Sequence, residues 1–152
     1  MRQRTEVFAS IILLATVLRQ GQSIPAVGFS AVISKDTYLG DNQAIKYDRV
    51  LTNIGNGYDK WSGHFKAPLK GLYVLSCTVM AVKGHDISVV LVKNGQNMMN
   101  AYSNRSAWDT GAISVALALK KGDKVWIRRY GHGRHVQGNY NIFSGYLISR
   151  KM

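Results

Sequence analysis

The sequence predicts an all-β protein, a jelly-roll β-sandwich of about ten antiparallel strands. Beyond residue 24, helical spacing of apolar residues is hard to find, whereas alternation of apolar and polar residues recurs. Turn signals follow one another roughly every 8 to 15 residues, among them Asn56-Gly57 and Asn94-Gly95. The 152 residues suffice for one domain, and a single Cys excludes an internal disulfide scaffold.

Residues 1–23 predict a secretory signal peptide. Arg2 and Arg4 precede an apolar run over 7–18 that is too short to span a membrane. Gly21 and Ser23 supply the small residues that signal peptidase requires, so cleavage is predicted after Ser23. An amphipathic or core helix is the alternative. Residues 24–152 would then form one secreted domain, which keeps +10 of the formal charge of +12 because three arginines and one glutamate are removed.

Nine segments carry the strand pattern. The clearest is 111–119, where every second residue from Ile113 to Leu119 is large and apolar. Residues 72–82 and 87–92 are apolar on both faces, which indicates strands packed between the core and either a second sheet or a partner subunit. In chain order, the predicted strands are residues 26–34, 44–51, 63–67, 72–82, 87–92, 98–103, 111–119, 124–130 and 142–149.

Several separated motifs together point to one family. Three of them are YDRVLTNIGNGYD over 47–59, SGHF over 62–65 and GLY over 71–73. FSA (29–31), VKNG (92–95), LKKGDKVW (119–126) and FSGYL (143–147) occur in the matching order. Over residues 26–149 the chain resembles the complement C1q globular-head family of the TNF-like superfamily.

The resemblance implies a jelly-roll domain that assembles as a homotrimer, and it identifies a set of fold-forming residues. In such positions, glycines permit turns and close backbone approach, while aromatic rings fill the core. The matching residues are Phe29, Tyr47, Asn53, Gly55, Tyr58, Gly63, Phe65, Gly71, Tyr73, Gly122, Asp123, Phe143 and Gly145.

Two features depart from the family pattern. Many members carry a Cys two residues after the position of Phe65, where this chain has Ala67. Its own Cys77 lies in an apolar strand, which predicts a buried, inert thiol, with a disulfide between subunits as the alternative. Many members also have a collagen stalk before the head. Here the signal peptide runs almost directly into the first strand, so we expect a short secreted member without a stalk.

The densest basic feature is the segment 128–135, predicted as a strand end that runs into a glycine-rich loop. Its guanidinium groups can hold carboxylates, sulfates or phosphates in bidentate geometry, while a tyrosine offers a stacking face. A solvated loop without a dedicated ligand is the alternative. The candidate residues for binding an anionic ligand are Arg128, Arg129, Tyr130, His132, Arg134 and His135.

No metal site can be placed from the sequence. His132 and His135 supply two imidazoles, which is too few for a site, and no Cys or carboxylate lies near them in sequence. Their protonation near pH 6.5 would strengthen anion binding as the pH falls. Members of the resembled family often bind calcium, but Asp36, Asp41 and Asp48 lack EF-hand-like spacing. We therefore predict no cofactor, with calcium left possible but unplaced.

Other single residues carry weaker predictions. Asn104 heads an N-glycosylation sequon in a predicted loop, with an unmodified surface Asn as the alternative. Trp126 alternates with strand residues and should be packed, whereas Trp61 and Trp108 lie in polar, loop-like surroundings. Exposed indoles commonly contact sugars or partner proteins. Asp123 is predicted to stabilise a turn.

The leading functional prediction is a secreted, non-enzymatic recognition protein of innate immunity that binds anionic or carbohydrate ligands on microbes, such as polysaccharide or lipopolysaccharide. The positive charge favours an anionic partner. The alternatives are an extracellular trimeric signalling ligand that binds a cell-surface receptor, and a matrix-associated or mineral-associated protein. The only Glu, Glu6, lies in the signal peptide, and no catalytic motif is found. No specific nucleic-acid partner and no membrane span are predicted.

Overall fold

The computed structural model describes residues 24–152, and the predicted signal peptide lies outside them. Within this range there are twelve strands and no helix, which confirms the all-β class, and hence there is no apolar helix of membrane-spanning length. The strands are β1 (Gly28–Val32), β2 (Thr37–Tyr38), β3 (Arg49–Ile54), β4 (Tyr58–Asp59), β5 (His64–Lys66), β6 (Gly71–Val79), β7 (Ile87–Lys93), β8 (Gln96–Ser103), β9 (Gly111–Leu119), β10 (Lys124–Gly133), β11 (His135–Val136) and β12 (Ile142–Ser149).

Ten of the strands form two five-stranded antiparallel sheets. The order is β3-β1-β12-β6-β9 in the first sheet and β4-β5-β10-β7-β8 in the second, while β2 and β11 pair separately as a short ribbon. The last strand, β12, lies between β1 and β6. Successive strands repeatedly change sheet, since β6 and β9 belong to the first sheet whereas β5, β7, β8 and β10 belong to the second. This is the jelly-roll arrangement, and its ten sandwich strands agree with the predicted number.

The core lies between the two sheets and is filled by aromatic rings. In β6 every second residue from Gly71 to Val79 is buried, as a strand with one face on the core requires. The ring of Phe29 stacks on Phe65 with centroids 4.7 Å apart and meets Phe143 edge-on at 4.8 Å. Such aromatic pairs stabilise a core beyond the area that they bury.

Asn53 and Tyr58 fix the connection between β3 and β4. Asn53 Nδ2 donates to the backbone oxygen of Tyr58 at 2.9 Å, and the Tyr58 backbone nitrogen donates to Asn53 Oδ1 at 3.1 Å. The Tyr58 hydroxyl donates to the backbone oxygen of Tyr47 at 2.7 Å. Desolvation by burial raises the pKa of Tyr58, so the hydroxyl remains a neutral donor. A sequence motif thus becomes a buried hydrogen-bonded corner.

Turn and contact positions account for several of the remaining family-matching residues. Gly63 has φ +77°, and a Cβ there would overlap the backbone oxygen of Ile45. Asp123 Oδ2 accepts a hydrogen bond from the Lys120 backbone nitrogen at 2.9 Å, and this bond is the main cause that lowers the pKa of Asp123. The predicted turn role of Asp123 agrees with this geometry. Similar constraints, either a positive φ or a close approach, apply at Gly55, Gly71, Gly122 and Gly145.

The structure corrects some predicted strand bounds. The predicted strand over 44–51 is wrong in extent: β3 begins at Arg49, and Ala44 forms only an isolated bridge to Arg128. Ile45 and Tyr47 alternate and are buried, which imitates a strand, but they reach the core from an irregular segment. The sequence does not predict β2, β4 and β11. Each has two residues, which is too few for an alternating pattern to be recognised.

Candidate binding surfaces

The strand part of the basic segment is longer than predicted, because residues 128–130 lie on β10 as expected and the glycine-rich stretch 131–133 continues that strand instead of forming a loop. Strand β10 runs through Gly133, and its ladder with β7 is interrupted after Arg129 and resumes at the pair Gly133 and Ile87. Gly133 allows this because its φ is +70° and because a Cβ at this position would overlap the backbone oxygen of Asp86. The glycine-rich stretch thus permits an irregular strand end instead of a free loop.

Arg128 crosses the outer face of the second sheet. Its Nη1 donates to Asn42 Oδ1 and its Nη2 to Asn97 Oδ1, both at 2.7 Å. Because β7 lies between β10 and β8, the side chain passes over β7, where Val90 and Val92 are buried although they face away from the core. The apolar character of both faces of β7 is therefore satisfied within the protomer.

The predicted stacking residue Tyr130 lies beside Arg128. The guanidinium carbon of Arg128 is 5.5 Å from the centroid of the Tyr130 ring, which is itself exposed. The ring borders a shallow cavity of about 450 Å³. The cavity is lined by Asn97, Met98, Met99, Asn100 and Tyr130.

Arg129 and Arg134 converge on one carboxylate of the same chain. Arg129 Nη1 donates to Asp41 Oδ1 at 3.0 Å, and its other nitrogens donate to the backbone oxygens of Gly131 and Gly133. Arg134 Nη2 donates to the same Asp41 oxygen. The hydrogen bond and the charge of Arg134 are the leading causes that lower the pKa of Asp41. Two of the three guanidinium groups predicted to hold an external anion thus already hold an internal one.

The two histidines of the segment have different surroundings. The His135 ring lies 4.2 Å from that of His85 and 5.3 Å from that of Tyr38, centroid to centroid. His132 instead lies 6.3 Å from the ring of Tyr102. Over residues 24–152, no three side chains of His, Cys, Asp or Glu type come close enough to hold a metal ion.

Two other predicted positions can be placed. The side chain of Asn104 is exposed, and its Oδ1 accepts a hydrogen bond from the Ser106 backbone nitrogen at 2.7 Å, while its glycosylation stays a prediction. Cys77 lies on the inward face of β6 and is 2% exposed, which confirms the buried thiol. Burial raises the pKa of Cys77 to about 12. The thiol therefore points into the core and away from the outer face of the first sheet.

The outer face of the first sheet carries a distinct pattern, in rows that run across its strands. One row consists of five hydroxyl side chains, and the Oγ atoms of Ser76 and Ser144 lie 2.9 Å apart. The neighbouring row is apolar or small, and it includes Tyr146, which is 55% exposed. The hydroxyl row contains Thr52, Ser30, Ser144, Ser76 and Ser114, and the apolar row contains Ile54, Gly28, Tyr146, Val74 and Ala116.

This face lacks charge although the chain has 20 Lys and Arg residues. None of the residues of β1, β6, β9 and β12 is charged, and the only charged residue of the sheet's strands is Arg49 on the edge strand β3. Solvated faces of antiparallel sheets usually carry polar and charged side chains, whereas the cores of protein interfaces are depleted in charge. The outer face thus has the composition of a contact surface.

Comparison with known proteins identifies the family. A C1q domain model matches residues 28–148, nearly the whole described range. The chain belongs to the C1q domain family. Among curated C1q-type relatives, it is 32% identical over 117 residues to complement C1q tumor necrosis factor-related protein 3 of Mus musculus, covering 73% of this chain and 47% of that protein. It is also 32% identical over 134 residues to the related protein 2 of Mus musculus, covering 84% and 45%.

Solved structures confirm the C1q/TNF-like jelly roll. The globular domain of zebrafish complement 1qA protein matches with a TM-score of 0.69 and 20% identity, over 82% of this chain and 99% of that chain. The Eiger TNF from S. frugiperda matches with a TM-score of 0.70 and 13% identity, over 85% and 96%. At these identities the likeness shows the fold alone. The C1q domain protein described here spans about half the length of the curated relatives that it matches.

Sequence reasoning missed the rows of the outer face. It found that residues 72–82 are apolar on both faces, but the hydroxyl row appears only when the register of five strands is known. The sequence signal is faint, since Ser or Thr occurs once or twice in each of these strands. It becomes informative because the same strands contain almost no charge.

Proposed function

We propose that this C1q domain protein is an extracellular signalling ligand that assembles as a homotrimer through the outer face of the first sheet and binds a cell-surface receptor. The observation that carries the proposal is the uncharged face on a chain of net charge +12. The predicted signal peptide supports an extracellular location. The names of the curated relatives, which are C1q tumor necrosis factor-related proteins, support the ligand class.

Small side chains make this face suitable for close packing between copies. Ala116 and Ser114 of β9 lie beside Val74 and Ser76 of β6, so two sheets can approach without bulky obstruction. The exposed ring of Tyr146 supplies a large apolar group near the centre of the sheet. The hydroxyl row would give polar contacts that fix the relative position of the copies.

The proposal involves no catalysis. Each of the seven aspartates among residues 24–152 accepts a hydrogen bond from this chain, mostly from the backbone or a hydroxyl group, which suits a structural role. A general base would need a carboxylate or an imidazole aimed at a substrate site. The carboxylates of this domain stabilise its turns and connections instead.

Light scattering after size-exclusion chromatography tests the assembly. Val74→Lys places a charge at the centre of the outer face, so we expect a trimer mass for the wild type and a monomer mass for this variant. Gln96→Lys adds the same charge at an exposed position of β8 in the second sheet and should remain trimeric. A monomeric wild type at micromolar concentration, or a trimeric Val74→Lys protein that is folded by circular dichroism, would refute the proposal.

Recognition of anionic microbial polymers is the second candidate function. The exposed Tyr130 and the guanidinium of Arg128 favour it, together with the amide groups around them. Asp41→Asn should strengthen binding to lipopolysaccharide because it releases Arg129 and Arg134, whereas Asp59→Asn, which changes the net charge equally, should have a smaller effect. Equal effects of the two variants would mean that only net charge matters.

A glycan and bacterial-polymer array separates the two candidates. The receptor-ligand proposal expects no specific glycan signal, whereas the recognition proposal expects signals on anionic polymers that grow as the pH falls. The array should be run at two pH values, with and without calcium. Binding to the surface of enzymatically deglycosylated cells would favour a protein receptor.

A further inference from the structure

An apolar cavity of about 190 Å³ opens at one end of the sandwich, beside the C-terminal end of the basic segment, where the Val82 backbone nitrogen donates to the His135 backbone oxygen at 3.1 Å. Three connections meet there: β6–β7, β8–β9 and β11–β12. Most of its wall is apolar, and the polar groups of its side chains are one amide, one ammonium and one indole N–H. The lining residues are Ala81, Lys83, Ala107, Trp108 and Gln137.

Trp108 adopts a backbone conformation that is costly for a large side chain. Its φ is +67°, in the left-handed region that residues with a Cβ rarely enter, and its ring is 68% exposed. The ring gains only an edge-on contact at 5.5 Å with Tyr140, which is itself 45% exposed. Strained residues held in place by their surroundings cluster at ligand-binding sites.

Hydrogen bonds hold the β8–β9 connection that presents Trp108. Asp109 Oδ2 accepts from the Asn104 backbone nitrogen at 2.6 Å, and Ser103 Oγ donates to the Asp109 backbone oxygen at 2.7 Å. The Ala81 backbone nitrogen in turn donates to Ser103 Oγ at 3.2 Å. These hydrogen bonds connect the segment that carries Trp108 to Ala81, which also lines the cavity.

The opposite wall is fixed by Asn141, which is fully buried. Its amide bonds to both backbone groups of Met80 and to the backbone oxygen of Gln137. The Thr78 hydroxyl donates to the backbone oxygen of Tyr140 at 3.1 Å. A surface that is rigid before binding loses little conformational entropy when it binds.

We propose that this cavity is the docking site for an acidic segment of a partner protein, which inserts one large apolar side chain between Trp108 and Ala81 and sets a carboxylate against Lys83. The proposal deepens the receptor-binding part of the proposed function and names the surface and the chemistry of the partner. Trp and Tyr are the residues that most often dominate the energy of protein interfaces.

The composition of the cavity favours a protein segment over a sugar. A sugar ring needs several hydrogen-bonding groups, whereas the side chains of the lining offer the Gln137 amide, the Lys83 ammonium and the single indole N–H of Trp108, with one acceptor oxygen among them. Lys83 forms no ion pair within residues 24–152, so its charge is open to a partner. The formal charge of +10 on residues 24–152 adds to the attraction for an acidic segment.

The test uses nuclear magnetic resonance of the full secreted chain labelled in its three indole N–H groups. The probes are acetylated, amidated peptides of five residues with the sequences Gly-Glu-Phe-Glu-Gly, Gly-Gln-Phe-Gln-Gly and Gly-Glu-Ala-Glu-Gly, each at millimolar concentration. Lactose and sialyllactose serve as sugar probes. Trp108→Gly removes the ring while suiting the positive φ, and Trp61→Ala removes another exposed indole as a matched control.

We expect the first peptide to shift the Trp108 signal and to leave that of Trp61 unchanged. For the variants, binding is followed by the broadening of the peptide's own signals. Trp108→Gly should bind the first peptide at least about tenfold more weakly than the wild type, and the wild type should bind the alanine peptide at least about tenfold more weakly than the first peptide. Trp61→Ala should bind the first peptide as the wild type does. Lys83→Gln should lower the affinity for the glutamate-containing phenylalanine peptide several-fold and should leave the affinity for the glutamine peptide unchanged. Sugars should leave Trp108 unshifted.

Three results would overturn the proposal: no peptide shifts Trp108, the alanine peptide binds equally well, or a sugar shifts Trp108 and the peptides do not. The mass of each sample is measured by light scattering. A monomeric wild type whose Trp108 still responds would refute the assembly proposed above and keep this docking site. A trimeric wild type whose Trp108 does not respond would refute this docking site and keep the proposed assembly.

Discussion

Replacement of Asn141 tests how strongly its buried amide stabilises the contact between the β6–β7 connection at Met80 and the β11–β12 connection at Gln137. Its Nδ2 donates to the backbone oxygens of Met80 at 3.0 Å and Gln137 at 2.7 Å, and its Oδ1 accepts from the Met80 backbone nitrogen at 2.9 Å. Asn141→Ala leaves the Met80 N–H unpaired, which costs about 1–3 kcal/mol, and removes one bond from each of two carbonyl groups. Because Gln137 N also donates to Met80 O, we expect a total loss of about 2–4 kcal/mol in the free energy of unfolding.

The assay is urea denaturation followed by tryptophan fluorescence at a fixed protomer concentration, because self-association adds stability that depends on concentration. Asn100→Ala, at an exposed asparagine of β8, is the control and should change stability by less than about 0.5 kcal/mol. A loss below about 1 kcal/mol for Asn141→Ala would refute the reasoning, since an orphaned buried donor would then carry no cost.

Asn141→Asp gives a second measurement on the same residue. The variant keeps the shape but turns an acceptor toward two carbonyl oxygens, so it should be less stable than Asn141→Ala at neutral pH. Burial would raise the folded-state pKa of this carboxyl above its unfolded value, so stability should recover as the pH falls through the folded pKa. A stability that does not rise on acidification would contradict this geometry.

Three further predictions concern single sites. Gly133→Ala should severely impair folding because its Cβ would overlap a backbone oxygen next to β7, whereas Gly131→Ala, with open space around it, should cost only about 1–2 kcal/mol by urea denaturation. The Cys77 thiol should resist Ellman's reagent until the protein unfolds, because burial raises its pKa to about 12, and rapid reaction in native buffer would disprove its burial. Burial raises the pKa of Asp48, but two hydrogen bonds from Ser34 outweigh it and the net pKa is lowered. Wild-type stability should therefore fall as the pH drops below about 4 toward the folded pKa, and Ser34→Ala should flatten this fall; parallel pH curves would argue against the bond.

The sequence predicts strands best where both faces follow a simple rule. Alternation predicts strands over residues 111–119 and 142–149, and β9 and β12 have those bounds. Both segments bury alternate side chains against the core, so local alternation carries the information. The family motifs likewise lie where the chain forms its hydrogen-bonded corner at Asn53 and Tyr58.

Long-range pairing explains what the sequence could not predict. Ile45 alternates with Tyr47 as a strand would, yet its backbone nitrogen bonds to Ile127, far along the chain. The carboxylate that pairs with both Arg129 and Arg134 lies 88 and 93 residues away, at Asp41. Residue spacing shows a basic cluster but does not show which acidic side chain folds back onto it.

The positive φ of Trp108 was equally hidden from the sequence. The surroundings of the residue predicted an exposed indole, but only the fold reveals that the backbone is strained there and that Tyr140 lies beside it. Residues 108 and 140 come from different connections, so no local pattern relates them. The contact between Trp108 and Tyr140 depends on how the β8–β9 and β11–β12 connections meet at the end of the sandwich, which only the three-dimensional structure shows.

The absence of charge on the outer face of the first sheet has a consequence for salt. Any association through it has no Coulomb attraction for ions to screen, so it should persist at high ionic strength. Attraction of anions to the arginines on the second sheet would weaken under the same conditions, because the screening length falls to about 3 Å at 1 M salt. Ionic strength alone would then separate assembly from anion capture in one small domain.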